Sequence, residues 1–149
     1  MTDHSEDREA GVAAWAALLR AHAALVPKLG REVAAAGLPI SWYDVLLVLN
    51  AAPERRLRMS DLGARAVLSR EQISRVVTEL ERSGLVTRVA NPDDKRSSFA
   101  TITDAGRERL RSAAPAYLAA IEEHFTRHLS AREVASVATA LQKVVAAEE

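Results

Sequence analysis

Cysteine is absent from this chain of 149 residues. Disulfides, cysteine zinc sites, thiol catalysis and thiol redox sensing are therefore excluded within it. Aromatic residues make up only 4%, and there are 6 glycines and 5 prolines. Alanine-rich segments with so few breakers favour helix. Net charge is also lacking: 20 basic side chains balance 20 acidic ones. No apolar core of a signal peptide follows the polar stretch Thr2 to Glu9, and no run approaches the roughly 20 apolar residues of a membrane span. The cytoplasm is the expected location, with no membrane partner. No G-x-S-x-G, phosphate-cradling glycine loop or H-E-x-x-H occurs, so neither an enzyme nor a cofactor is expected.

At 48% apolar, a chain of this length suits one domain with a true core. Its charge is unevenly spread. Residues 1–54 hold 4 basic and 7 acidic groups, residues 55–96 hold 10 and 6, and residues 97–149 hold 6 and 7. The middle third is thus the cationic part, where a surface facing DNA can lie.

Trp15, Leu18, Leu19, His22, Leu25, Val26, Leu29 and Val33 recur at helical spacing, predicting one long amphipathic helix from Val12 to about Ala36 in which Pro27 either makes a bend or breaks one hydrogen bond. Ser41, with Asp44 three residues on, is expected to cap a second helix, mostly buried, through Leu49. Leu57 to Met59 suggests a short strand. Ser60-Asp61 is expected to cap a third helix, Leu62 to about Val67. Ser69-Arg70-Glu71-Gln72 is a capping box that opens a fourth, with Ile73, Val76, Val77 and Leu80 on one face. Residues 85–89 and 98–102 read as two strands of a hairpin, joined by a charged loop over 91–96. Thr103 caps a long helix in which Pro115 predicts a kink. Ser130 to Glu133 is a second capping box before a last helix with Val134, Val137, Leu141, Val144 and Val145 along one stripe. The fold class is mainly α, a helix-turn-helix with a small β-hairpin wing, flanked by terminal helices. The apolar stripes of those helices exceed what the small central unit can cover, which suggests a helical dimer interface.

A helix-turn-helix sends its second helix into the major groove, where base edges differ. Opposite Ile73 and Leu80 stand Glu71, Arg75, Thr78 and Arg82, flanked by Gln72 and Ser74. Arginine and glutamine can each hold a base edge with two hydrogen bonds, and Ser69, Ser74, Thr78 and Arg70 suit phosphates. By itself such a face is as often merely solvated. At the expected loop tip, Lys95 and Arg96 sit beside Asp93 and Asp94. A long cation there can enter the minor groove, with Asp94 holding Arg96 extended.

The run Ser69 to Val86 resembles the recognition helix of the MarR family of bacterial regulators. Asn91-Pro92-Asp93-Asp94-Lys95-Arg96, then Ile102-Thr103-Asp104-Ala105-Gly106, resembles that family's D-P-x-D-R-R and L-T-x-x-G. Asn91, Lys95 and Ile102 depart from the pattern. The resemblance extends over nearly the whole chain, read as a single domain with its winged-helix part at about 41–102 and dimerisation helices at about 10–36 and 104–146. It implies a homodimer that binds double-stranded DNA at a pseudo-palindromic operator, usually as a repressor, and a small phenolic or other aromatic anion that loosens that binding. Family ligands often sit between the dimerisation helices and the DNA-binding lobe. Trp15, His22, Trp42 and Tyr43 lie on segments that can line such a pocket, Trp42 and Tyr43 being the better candidates, although core packing is the commoner explanation of such residues. His124 and His128 have metal-ligand spacing on a helix, but no third ligand completes a site and no metal is expected. The alternative function is a winged-helix module that binds protein partners without specific DNA binding.

Overall fold

The computed structural model describes residues 3–66 and 68–148. Among the described residues, six α-helices and three strands follow one another: α1 (Asp3–Ala35), α2 (Ile40–Ala51), β1 (Arg56–Arg58), α3 (Met59–Arg65), α4 (Arg70–Arg82), β2 (Val86–Asn91), β3 (Asp94–Ile102), α5 (Asp104–His124) and α6 (Ala131–Ala147). The chain divides into two compact units, Glu32–Tyr117 and Met1–Arg31 with Leu118–Glu149.

The first unit is a winged helix-turn-helix. Its core joins Val33 and Leu38, Tyr43, Val45, Leu46 and Leu49 of α2, Leu62 of α3, four residues of α4, and Ala100 and Ile102 of β3. Leu46, Leu49, Leu62 and Leu80 are wholly buried, so truncating any one to alanine costs about 2–5 kcal/mol. The sheet has strand order β1-β3-β2 and is antiparallel throughout. Alternation along it sends Leu57 and Ala100 inward, as the period of two requires. On the other face the Arg56 guanidinium lies 4.7 Å from the Phe99 ring centre.

Three helix starts differ from those expected of the sequence. α2 begins at Ile40 with Pro39 at the cap and no side-chain cap, so Ser41 lies inside the helix. The fixed φ of proline presets that turn, and the buried Leu38 just before it anchors the entry. α3 begins at Met59 directly after β1, again without a side-chain cap. Arg58 is still paired with Phe99, which leaves no spare residue for Ser60 to act as a cap. Val67, the expected end of α3, lies outside the described residues. α1 starts at Asp3, nine residues before the apolar periodicity begins, and both α1 and α5 continue through their prolines, Pro27 and Pro115.

α5 is docked to the wing by a compact motif. Thr103 donates its hydroxyl to the Gly84 carbonyl at 2.7 Å, and the same oxygen accepts the Gly106 amide at 3.0 Å. Gly84 turns the chain from α4 into β2 at φ +74°, a conformation that glycine adopts without strain. A Cβ on Gly106 would stand 2.2 Å from the Leu85 carbonyl oxygen, so only glycine fits there.

In the second unit, α6 starts with the expected capping box, Ser130 with Glu133. That helix buries none of its described residues. Leu141, Val144 and Val145 are exposed, as are Val12, Trp15, Leu19 and Val26 on α1. The α1 residues follow a 3-4 spacing that continues through His22 and Leu29, the pattern of a helix seam. An 18-residue window of α1 has mean hydropathy 1.3. Among the described residues, this one helix is long and apolar enough to cross a membrane, by length and composition only; alanines between the seam residues supply much of that hydropathy, and Arg20, His22 and Lys28 keep its apolar runs short.

Candidate nucleic-acid interface

Helix α4 is set by its own sequence and by the core beneath it. The Ser69 hydroxyl accepts the Gln72 amide at 3.3 Å, and the Gln72 side-chain oxygen accepts the Ser69 amide at 2.9 Å. Two free amides of the first turn are thereby satisfied. Ile73, Val76, Val77 and Leu80 are buried. That fixes the roll of the helix, so Glu71, Arg75 and Arg82 face outward, with Arg70 and Ser74 exposed on one flank. Neither the Arg75 nor the Arg82 side chain makes a hydrogen bond or ion pair among the described residues.

The candidate residues are not equally available. Gln72 commits its oxygen to the cap. Thr78 donates its hydroxyl to the Ser74 carbonyl at 2.8 Å and accepts the Arg88 guanidinium at 3.5 Å. Sequence reasoning misses Arg88 and Glu79. Arg88 pairs across the sheet with the buried Ala100, and so projects from β2 toward α4. A cation at an inward strand position is the signal that could have found it. Beside it lies a concavity of about 780 Å³ lined by Met59, Gly63, Leu68, Arg70, Ser74 and Arg88 among others.

The wing differs from the loop expected over residues 91–96. β2 runs on to Asn91 and β3 begins at Asp94, so the turn is only Pro92-Asp93. Ala90 pairs with Ser98 and Asn91 with Asp94. Lys95, Arg96 and Ser97 are thus crowded into one step of the ladder as a bulge, which turns strand side chains outward. Lys95 and Arg96 lie on the strand after the turn and are exposed. The Asn91 side chain organises the turn from inside: it is buried, accepts the Asp93 amide at 3.0 Å and donates to the Ser97 hydroxyl at 3.0 Å. Asp94 accepts the backbone amide of Arg96 at 3.0 Å. Its support for the wing goes through the main chain, not through the guanidinium.

The four candidate pocket residues belong to different units. Trp15 and His22 are exposed on α1 in one. Trp42 and Tyr43 lie on α2 in the other. The Trp42 indole donates to Glu79 of α4 at 3.0 Å. Tyr43 is buried, its ring centre 4.4 Å from that of Tyr117. Burial pushes the Asp44 carboxyl above the usual carboxylate range. Burial also raises both phenols, and the Asp44 charge adds to that rise. His124 ends α5 and His128 lies in the following 3-10 turn. The pair does not share a helix, and no metal-ligating cluster occurs among the described residues.

Residues 36–97 match the model of the MarR family. The regulator MhqR of Bacillus subtilis is 30% identical over 127 residues, 85% of this chain and 86% of its own. Matches to two other B. subtilis regulators, YkoM and YdgJ, span only about half of those proteins, 55% and 48%. Among solved structures, Sco3205 of Streptomyces coelicolor, a MarR family transcriptional regulator in complex with DNA, superposes with a TM-score of 0.81 at 33% identity, covering 91% of this chain and 89% of that one. CouR of Rhodococcus jostii bound to p-coumaroyl-CoA gives 0.73 at 26% identity, covering 86% and 88%. A capped, core-anchored α4, a bulged cationic wing and a likeness that spans both units together place this chain in the MarR family of transcriptional regulators.

Proposed function

We propose that this protein is a homodimeric repressor of a pseudo-palindromic operator, released from DNA by a small aromatic anion. The observation that carries the reading is the set of exposed arginines on α4, Arg70, Arg75 and Arg82, beside the bulged wing, in a chain one-third identical to a regulator solved on DNA. Arg75 reads a base edge and Gln72 flanks it through its remaining amide. Ser69, Arg70, Ser74 and Thr78 contact or orient toward phosphates, and Lys95 and Arg96 enter the minor groove from a wing stiffened by Asp94. The exposed seams of α1 and α6 meet a second copy in the cytoplasm. That pairing repeats α4 at half-sites about one helical turn apart, roughly 34–36 Å.

The effector is an aromatic anion, supported by the p-coumaroyl-CoA bound to CouR. Trp15, His22, Trp42 and Tyr43 are the residues to test for contact with it. A ligand that favours a conformation with another spacing of the two α4 helices lowers affinity by population shift. The test is selection of bound sequences from random DNA near physiological salt, with the winner titrated against salt. An enriched pseudo-palindrome whose affinity falls steeply with salt supports the reading. Weak salt-sensitive binding without enrichment refutes it and favours a protein-binding module.

A further inference from the structure

Glu79 is a carboxylate on the helix proposed to face DNA, where phosphates would repel it. It stands four residues after Arg75 and three before Arg82, the two spacings at which helix side chains meet. Left to itself, it could reach either arginine, as the exposed Glu71, four residues before Arg75, can reach Arg75 from the other side. The structure shows another arrangement. Glu79 is half-buried, and its Oε2 accepts the Trp42 indole N–H at 3.0 Å. An indole N–H can only donate, so it holds a carboxylate oxygen and offers nothing to a cation. Thr78, on the opposite side of the outward face, is met by Arg88 in the same way. α4 is thus bracketed by one side-chain hydrogen bond from α2 and one from β2.

We infer that Trp42 is a positioning residue for DNA recognition: by holding Glu79 against α2, it keeps that carboxylate away from Arg75 and leaves the Arg75 guanidinium free for a base. This inference rests on the DNA-binding reading above but makes a claim about the free protein as well. It also assigns the Trp42 indole hydrogen bond to a protein partner.

The experiment uses the whole chain of 149 residues in three forms: wild type, W42F and W42F/E79Q. An exposed helical ion pair is worth about twofold in affinity for each half-site, so across two half-sites W42F is expected to weaken operator binding about three- to fivefold. Binding to random DNA changes less than that. The added E79Q keeps the side-chain shape, removes the charge and restores operator affinity, although the indole hydrogen bond is still missing. A purely structural role for Trp42 would leave the double variant as weak as W42F, and that result overturns the inference. So does native affinity in W42F. Should W42F fail to fold, E79D replaces it. Its carboxylate is one methylene too short to keep the indole contact and remains charged, and the same loss is expected. A second readout needs no DNA. Exchange of the Arg75 Nε–H with water, followed by NMR, slows in W42F and recovers in W42F/E79Q. Unchanged exchange refutes the positioning role even if no operator is ever found, whereas slowed exchange without operator binding refutes only the DNA-binding reading.

Discussion

Replacing Gly106 with alanine tests how α5 is joined to the winged helix. Alanine is normally the better helix former by up to about 1 kcal/mol, so propensity alone predicts a gain. The surroundings reverse the sign. A Cβ at this position stands 2.2 Å from the Leu85 carbonyl oxygen and 2.8 Å from Ile102 Cγ1; the first of these is more than about 1 Å inside ordinary contact, which lies near 3.5 Å. The carbonyl cannot retreat freely, because it accepts the Thr103 amide at 3.0 Å. Moving α5 away instead strains the Thr103 bond to Gly84. Overpacking costs about 1–3 kcal/mol, and a weakened hydrogen bond adds about 1. After subtracting the propensity gain, the net loss is about 1–3 kcal/mol. Urea unfolding followed by far-UV circular dichroism, at one fixed protein concentration because a dimer is expected, reads this directly. Gly63→Ala is the control: a Cβ there would meet nothing within 4 Å, so it should be neutral or stabilising. Gly106→Ala with a midpoint equal to or above the wild type would refute the reasoning, since it would mean that α5 is not held as closely as the Thr103 bonds imply.

Three further outcomes are expected. Arg75→Ala relaxes the preference for operator over random DNA by about 1–3 kcal/mol; unchanged discrimination in a competition titration removes Arg75 from base readout. Arg96→Ala weakens binding with an unaltered melting curve and lowers the salt slope by about one per half-site, whereas affinity within error of wild type argues against a wing contact. Asp44→Asn tests the buried carboxyl. Because the folded-state pKa of Asp44 is raised above the ordinary 3.8, the native state holds more protons just above that value. Its contribution to stability therefore falls as pH rises from about 4 to the raised pKa, and is flat beyond. The stability difference between variant and wild type should grow across that window in favour of the variant. A difference independent of pH contradicts the burial.

The two capping boxes, at Ser69 and Ser130, are legible in the sequence because a cap is a local matter: serine and its partner three residues later satisfy each other wherever the helix goes. The apolar spacing of Ile73, Val76, Val77 and Leu80 is legible for a similar reason, since 3.6 residues per turn maps sequence onto a face. The wing motif can be seen but not measured. Where the ladder ends depends on pairing between strands, and the buried Asn91 and the bulge at Lys95 to Ser97 move both cations from the expected loop onto β3. Ser41 and Ser60 do not act as the expected caps because Pro39 and the pairing of Arg58 start those helices earlier.

Sequence by itself therefore determined the order of elements, the inward face of α4 and the cations placed near it. These follow from periodicity, capping and composition, all of which act over a few residues. Tertiary structure alone decided which of those polar groups are occupied. Trp42 meets Glu79 across 37 positions, and Arg88 reaches Thr78 from a strand. Gly106 must be glycine because the backbone of Leu85, distant along the chain, passes over it. Such contacts arise only when packing brings remote segments within hydrogen-bond or van der Waals reach, and no local pattern encodes the distance.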